Sequence, residues 1–218
     1  MQFHYEATSD FMESVSEVET LITLASSDDA NRTLFLKLAI VLVVTKFQVF
    51  VEKSLDEFRF NLNGIKSHRL PLYMKMNSLK LSVLESNPLV GLQKNSNFSE
   101  EKKSKIVDYL NSISFINDEQ AEITESFKFK TKYPLGKTGK SELIGLLLQI
   151  DGDTNPFKEF TVDDFDKIDS VLQTRHLIAH QDRFTGTETT VKEQVDFLKN
   201  LVEYIDDYLY SKYSEFTN

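Results

Sequence analysis

The sequence predicts an all-α protein, and three features predict it. Seven glycines and four prolines are few breaks for 218 residues. The segments between them repeat apolar residues at helical rather than alternating spacing. One segment, 34–51, is apolar nearly all round, as expected of a central helix that others pack around. With 40% hydrophobic residues and 17 Phe the chain can fill a sizeable core. The simplest organisation is one helical domain over residues 1–218, with 62–160 as an elaboration on a bundle made by the first two and last two helices.

The first helix is expected over about residues 3–25, where Phe11, Val15, Val18 and Ile22 share a face and "SSDDAN" ends the pattern. The second spans about 31–61 and turns amphipathic near "FQVFVEKSLDEF". Glu52 lies there, its carboxylate either inside a cleft or facing water, and residue preference favours water. After "GIKSHRLP" comes a third helix, "LYMKMNSLKLSVLES", followed by the turn formers of "NPLVGLQKNSN". Ser99 then caps "FSEEKKSKIVDYLNSISFI", with acids in its first turn. "SELIGLLLQI" is a short helix, apolar on most sides. Thr161 opens "TVDDFDKIDSVLQTRHLIAH", with Asp163 and Asp164 placed for its N-terminal dipole. The last helix repeats Val191, Val195, Leu198, Val202, Ile205 and Leu209, a seam expected to pack antiparallel on its predecessor or against another chain.

The absence of cysteine removes disulfides, thiolate nucleophiles and Cys-rich zinc sites, and fits a reducing cytoplasm. The N-terminal "MQFHYEATSDFMESVSEVE" has acids and no basic region before an apolar run, as in mature protein rather than a secretion signal. Lys37, Lys46 and Gln48 interrupt "LFLKLAIVLVVTKFQVFV". Each is expensive at mid-bilayer, so a core helix is expected rather than a span, and no membrane partner. A net charge of −9 argues against a general nucleic-acid coat, so any RNA contact must be local. "SFKFKTKYPLGKTGKS", residues 126–141, offers such a place. Lys128, Lys130, Lys132, Lys137 and Lys140 alternate there with Phe127, Phe129 and Tyr133, and no acid intervenes. The segment either supplies phosphate contacts and base stacking or forms a hairpin-like loop whose aromatics dock on the body.

"PLGKTGKSE" resembles a phosphate-binding loop only superficially, because that loop needs glycine five positions before Gly139, where Pro134 stands. A helix-opening turn explains the same letters.

"KIDSVLQTRHLIAHQDRF", residues 167–184, places Arg175, His176 and His180 in an otherwise apolar helix. Burying such groups is costly unless they are paired, so their presence requires a reason. His176 and His180 are spaced like two zinc ligands, yet the metalloprotease glutamate is missing and only Asp182 or Glu52 offers a third ligand, so no metal is expected. No serine lies in a nucleophile-elbow context. Arg175 and His180, about 140° apart on an ideal helix with His176 between, suit RNA cleavage by its own 2′-hydroxyl. A base takes the 2′ proton, a cation stabilises the phosphorane, and an acid protonates the leaving 5′-oxygen, without a cofactor. A two-fold dimer would face two such pairs across one groove. The structural alternative is an Arg and a His capping carbonyls at a helix C-terminus.

The "RHLIAH" motif closes the penultimate long helix, and a short polar turn leads from it to an amphipathic last helix. With "DSVLQTRHLIAHQDRF" and the apolar helix running into "FVEKSLDEF", the chain resembles the HEPN superfamily, in the branch called RiboL-PSP or MAE-like. The resemblance implies a HEPN-like helical bundle with inserted middle helices and homodimerisation to a composite site. It also implies metal-independent endoribonuclease activity, and a role in toxin–antitoxin or anti-phage systems with an antitoxin or defence partner. Carried over, Arg175 and His180 match the catalytic pair and His176 the polar position after the arginine. Glu52 resembles an acidic residue often found on the second helix. In members silenced by a nucleotidyltransferase, a tyrosine falls two residues after the histidine, and here Asp182 stands there. A non-catalytic HEPN-like module that binds RNA or protein is the competing expectation.

Overall fold

A computed structural model describes residues 3–86, 100–125, 127–134, 139–152, 156 and 162–218. Seven α-helices occur among them: α1 (Glu6–Ser27), α2 (Arg32–Asn61), α3 (Leu72–Ser86), α4 (Glu100–Asn117), α5 (Gly139–Asp151), α6 (Val162–Gln181) and α7 (Glu188–Thr217). A 3-10 turn covers Ser67–Arg69. No strand occurs among the described residues, only an isolated bridge between Lys66 and Glu122. The all-α expectation is met, and each of the seven expected helices is present within a few residues of its predicted ends. Ser99, Thr161, "NPLVGLQKNSN" and the side chains of Asp163 and Asp164 lie outside the described residues.

The chain divides into two compact units. The first comprises Met1–Glu57, Thr131–Gly145 and Phe157–Tyr210, and the second Phe58–Lys130, Leu146–Pro156 and Ser211–Asn218.

In the first unit, α2 buries Ala39, Ile40, Val43, Val44, Phe47 and Phe50, while Leu34, Leu38 and Val49 stay exposed. By length and composition α2 is the one described helix able to cross a membrane. Phe11, Val15, Val18 and Ile22 of α1 are buried, as their shared face predicts. The whole α7 seam, from Val191 to Leu209, is covered by the chain itself rather than left for another. Gly139 opens α5 because a Cβ there would meet Leu172 Cδ1 of α6 at 1.8 Å. This close approach accounts for the glycine of "GKS".

The start of α1 has no capping side chain of its own; Tyr5 is in the N-cap position. Its orphan amides are satisfied from elsewhere. Asp206 of α7, buried, accepts from His4 N–H at 2.9 Å, Tyr5 N–H at 3.1 Å and the Thr8 hydroxyl at 2.5 Å. Glu57 of α2 accepts from Glu6 N–H at 2.9 Å and Ala7 N–H at 3.0 Å. These carboxylates satisfy both the free N–H groups and the positive end of the helix dipole. Burial nevertheless holds the Glu57 carboxyl above its ordinary range, against the pull of the two amides.

In the second unit α3 packs on α4, and their Ser82 and Ser112 hydroxyls meet at 3.0 Å. Residues 64–68 pair with 119–123 through Gly64 N–H to Ile123 O (3.0 Å), Ile123 N–H to Ile65 O (2.8 Å) and Ser67 N–H to Ala121 O (2.7 Å). Met74, Phe115, Ile123 and Phe127 are buried beneath this ribbon and helix pair.

Replacing Asp206 by Ala strands its buried donors, each at a cost of about 1–3 kcal/mol. Thermal or urea unfolding is expected to show a loss of at least about 2 kcal/mol, whereas Asp207→Ala, at an exposed neighbour, changes stability by less than about 0.5 kcal/mol.

Candidate functional site

The candidate site grows from the periodicity of α6. Ile168, Val171 and Leu172 form its buried stripe. Arg175, seven residues after Ile168, continues that stripe and is therefore half-buried. Its Nε is buried without a hydrogen-bond partner. His176 is half-buried and His180 exposed. Their rings stand 4.5 Å apart, centroid to centroid, at an interplanar angle of 48°. The structure thus brings the two histidines together on one face, in the same two turns as Arg175. His180 is the basic residue of the last turn, where the helix dipole favours a cation.

α6 ends by a reversal rather than at a glycine. Asp182 takes the left-handed conformation, φ 51°, the one positive φ among described non-glycine residues. Arg183 N–H turns back to the Leu177 carbonyl at 3.3 Å. Lys37 of α2 reaches this turn, with Nζ 2.5 Å from the Asp182 carboxylate and 3.3 Å from its carbonyl oxygen. Asp182 is therefore engaged with a lysine, not aligned as a third metal ligand.

Glu52 is neither free in water nor bonded to Arg175 or His180 among the described residues. One carboxylate oxygen accepts from Tyr133 N–H at 3.1 Å and Gln48 Nε2 at 3.3 Å, and the other from Lys132 Nζ at 2.9 Å. Gln48 also donates to the Tyr133 carbonyl at 2.9 Å. Glu52 and Gln48 thus hold Tyr133 by both backbone groups. Partial burial pushes the Glu52 carboxyl up, but the bonds from Lys132, Tyr133 and Gln48 outweigh it and leave the carboxyl below its ordinary 4.5. Tyr133 itself is fully buried, edge-on to Phe47, and its hydroxyl donates to Gly139 O at 3.1 Å. Burial, with the charges of Asp169 and Glu142, raises its phenol far above the usual value.

In the lysine segment the aromatics dock on the body, the second of the two expectations. Phe127 and Tyr133 are buried, so neither is available to stack on a base. Residues 128–134 form neither helix nor strand. Lys128 donates its backbone N–H to Ser78 Oγ at 2.8 Å. Lys130 exchanges backbone bonds with the Gln149 side chain, at 2.9 and 2.6 Å. Lys132 is paired with Glu52, and Lys140 Nζ lies 3.6 Å from Asp166. Lys137 lies outside the described residues.

Metal-like spacing among described His and carboxylate groups occurs not at His176 and His180 but at His4, Asp206 and Asp207, whose ligand atoms lie within 4.8 Å of one another. Asp206 is already committed to the start of α1, and His4 sits 3.4 Å from Asp207 while stacking on Tyr210.

Sequence reasoning missed the structural use of Lys37, Gln48 and Asp182. The signal was present: a lysine and a glutamine inside an apolar run need partners, and both find them in distant segments.

The described fold is all-α, with an Arg and two His at the end of a long helix. A family model described as RiboL-PSP-HEPN matches residues 9–211, and the chain belongs to that family. No curated protein and no solved structure matches it.

Because the Glu52 carboxyl is lowered, its ion pair stabilises the fold above about pH 4.5 and the benefit fades as pH falls through the folded value. Glu52→Gln is expected to be less stable than wild type at pH 6, with the difference shrinking towards pH 3. Paired unfolding curves across that range check it.

Proposed function

We propose that the protein is a metal-independent endoribonuclease that cleaves RNA by attack of the 2′-hydroxyl on the adjacent phosphate. The carrying observation is Arg175, a half-buried guanidinium whose Nε has no protein partner, beside an exposed imidazole on the same helix end. A planar cation that stays charged and offers a fork of donors suits a phosphate and its developing charge. Imidazole suits proton transfer near neutral pH. The 2′-hydroxyl supplies the nucleophile, so neither metal nor cofactor is required. The reaction needs a base and an acid on opposite sides of the phosphorus. The reading therefore includes a homodimer in which Arg175 and His180 of two chains face one phosphate, with His176 orienting its neighbour. Membership of the RiboL-PSP-HEPN family supports this assignment, and with it a cytoplasmic role as a toxin or anti-phage effector held in check by a partner protein.

A second reading, a non-catalytic module that binds RNA or protein in such a complex, is favoured by the ion-paired state of Lys132 and Lys140 and the net charge of −9. Both weaken a general RNA surface.

Cleavage of RNA by the purified protein in EDTA separates the two. Wild type is expected to cut, and Arg175→Ala and His180→Ala each to lose at least about 10²-fold in rate. RNA binding without cleavage, or cleavage unaffected by both substitutions, selects the second reading or rejects the first.

A further inference from the structure

We propose that Lys37 and Asp182 form a latch that positions His180, so that α2 sets the direction of the imidazole; the inference rests on the catalytic reading given above. The observations are independent of that reading. Asp182 stands two residues after His180 and adopts a left-handed conformation that non-glycine residues rarely take. Aspartate tolerates this region better than most side chains, and a contact from outside the turn favours it further. The holding group is Lys37, which contacts the carboxylate at 2.5 Å and also the backbone carbonyl of the same residue at 3.3 Å.

The second contact matters more than the first. An ion pair to an exposed carboxylate, 89% accessible here, fixes little more than a side chain. An ammonium on the carbonyl oxygen fixes the orientation of the peptide plane. The same peptide carries the Arg183 N–H, which returns to the Leu177 carbonyl at 3.3 Å and closes the turn of α6 that bears His180. Lys37 is suited to the task because its own side chain is only 19% exposed and rises from the stretch of α2 that buries Leu36, Ala39 and Ile40. The latch also accounts for an acid at the position two residues after His180. A neutral side chain there would leave Lys37, in the second turn of α2, without its counter-charge.

The test uses the full chain as wild type, Lys37→Met, Lys37→Arg and Asp182→Gly, the last keeping a residue at ease in the left-handed region while removing the carboxylate. The four histidines give few imidazole Cε1–Hε1 resonances, and that of His180 is assigned by its loss in His180→Asn. Lys37→Met and Asp182→Gly are expected to shift and broaden the His180 resonance while leaving that of His68 in place. Lys37→Arg is expected to restore it. In RNA cleavage, Lys37→Met is expected to lower kcat about tenfold with KM within about twofold, a misplacement effect rather than a binding one. A His180 resonance unchanged in both Lys37→Met and Asp182→Gly overturns the latch. If wild type cuts no RNA but the resonance still moves, the ribonuclease reading fails and the latch stands. If wild type cuts and neither resonance nor kcat responds, the latch fails and the ribonuclease reading stands.

Discussion

An apolar helix must bury one side and give partners to the polar groups that its packing draws in, and α2 does this for Lys37, Lys46, Gln48, Glu52 and Glu57. Its buried side, from Leu36 to Leu55, is core. Six of its polar residues reach three other segments: Lys37 takes the turn after α6, Gln48 and Glu52 take Tyr133, and Lys46, Lys53 and Glu57 take Glu17, Asp10 and the first amides of α1. The apolar surface supplies the energy of collapse without direction. The polar contacts supply the direction, because a half-buried ammonium or carboxylate tolerates only arrangements that pair it.

The candidate site inherits its geometry from this arrangement. Arg175 lies on the inward stripe of α6 and so is drawn into the protein, while His180 lies beyond the last buried residue and remains accessible. The Nε of this guanidinium is hidden and unpaired. Glu52, by contrast, is a structural clasp. The same carboxylate that a cleft would use as a base is spent on a peptide N–H, an amide and an ammonium.

Much of the fold was legible in the sequence. The four-three seam of α7, the shared face of α1 and the scarcity of glycine and proline each predicted a helix that is present, because periodic burial is a local property that a single segment displays. The Arg175, His176 and His180 cluster was equally visible as an anomaly in an apolar helix. What stayed hidden was pairing at long range. Asp206 and Glu57 carry no mark that they cap a helix start some 200 and 50 residues away. The interleaved aromatics of the lysine segment looked suited to bases until burial of Phe127 and Tyr133 assigned them to the core. Gly139 shows the converse: its letters suggested a phosphate loop, and the contact with Leu172 supplies the steric reason for a glycine.

The central claim is that the half-buried Arg175 guanidinium receives an RNA phosphate. The most direct measurement is the Nε–Hε resonance of Arg175 during titration with an RNA oligonucleotide whose 2′-hydroxyls are replaced by hydrogen, which can bind but cannot be cut. The account predicts a saturable downfield shift of that resonance, absent in its Arg175→Lys counterpart. A resonance that stays fixed while the oligonucleotide demonstrably binds would contradict it.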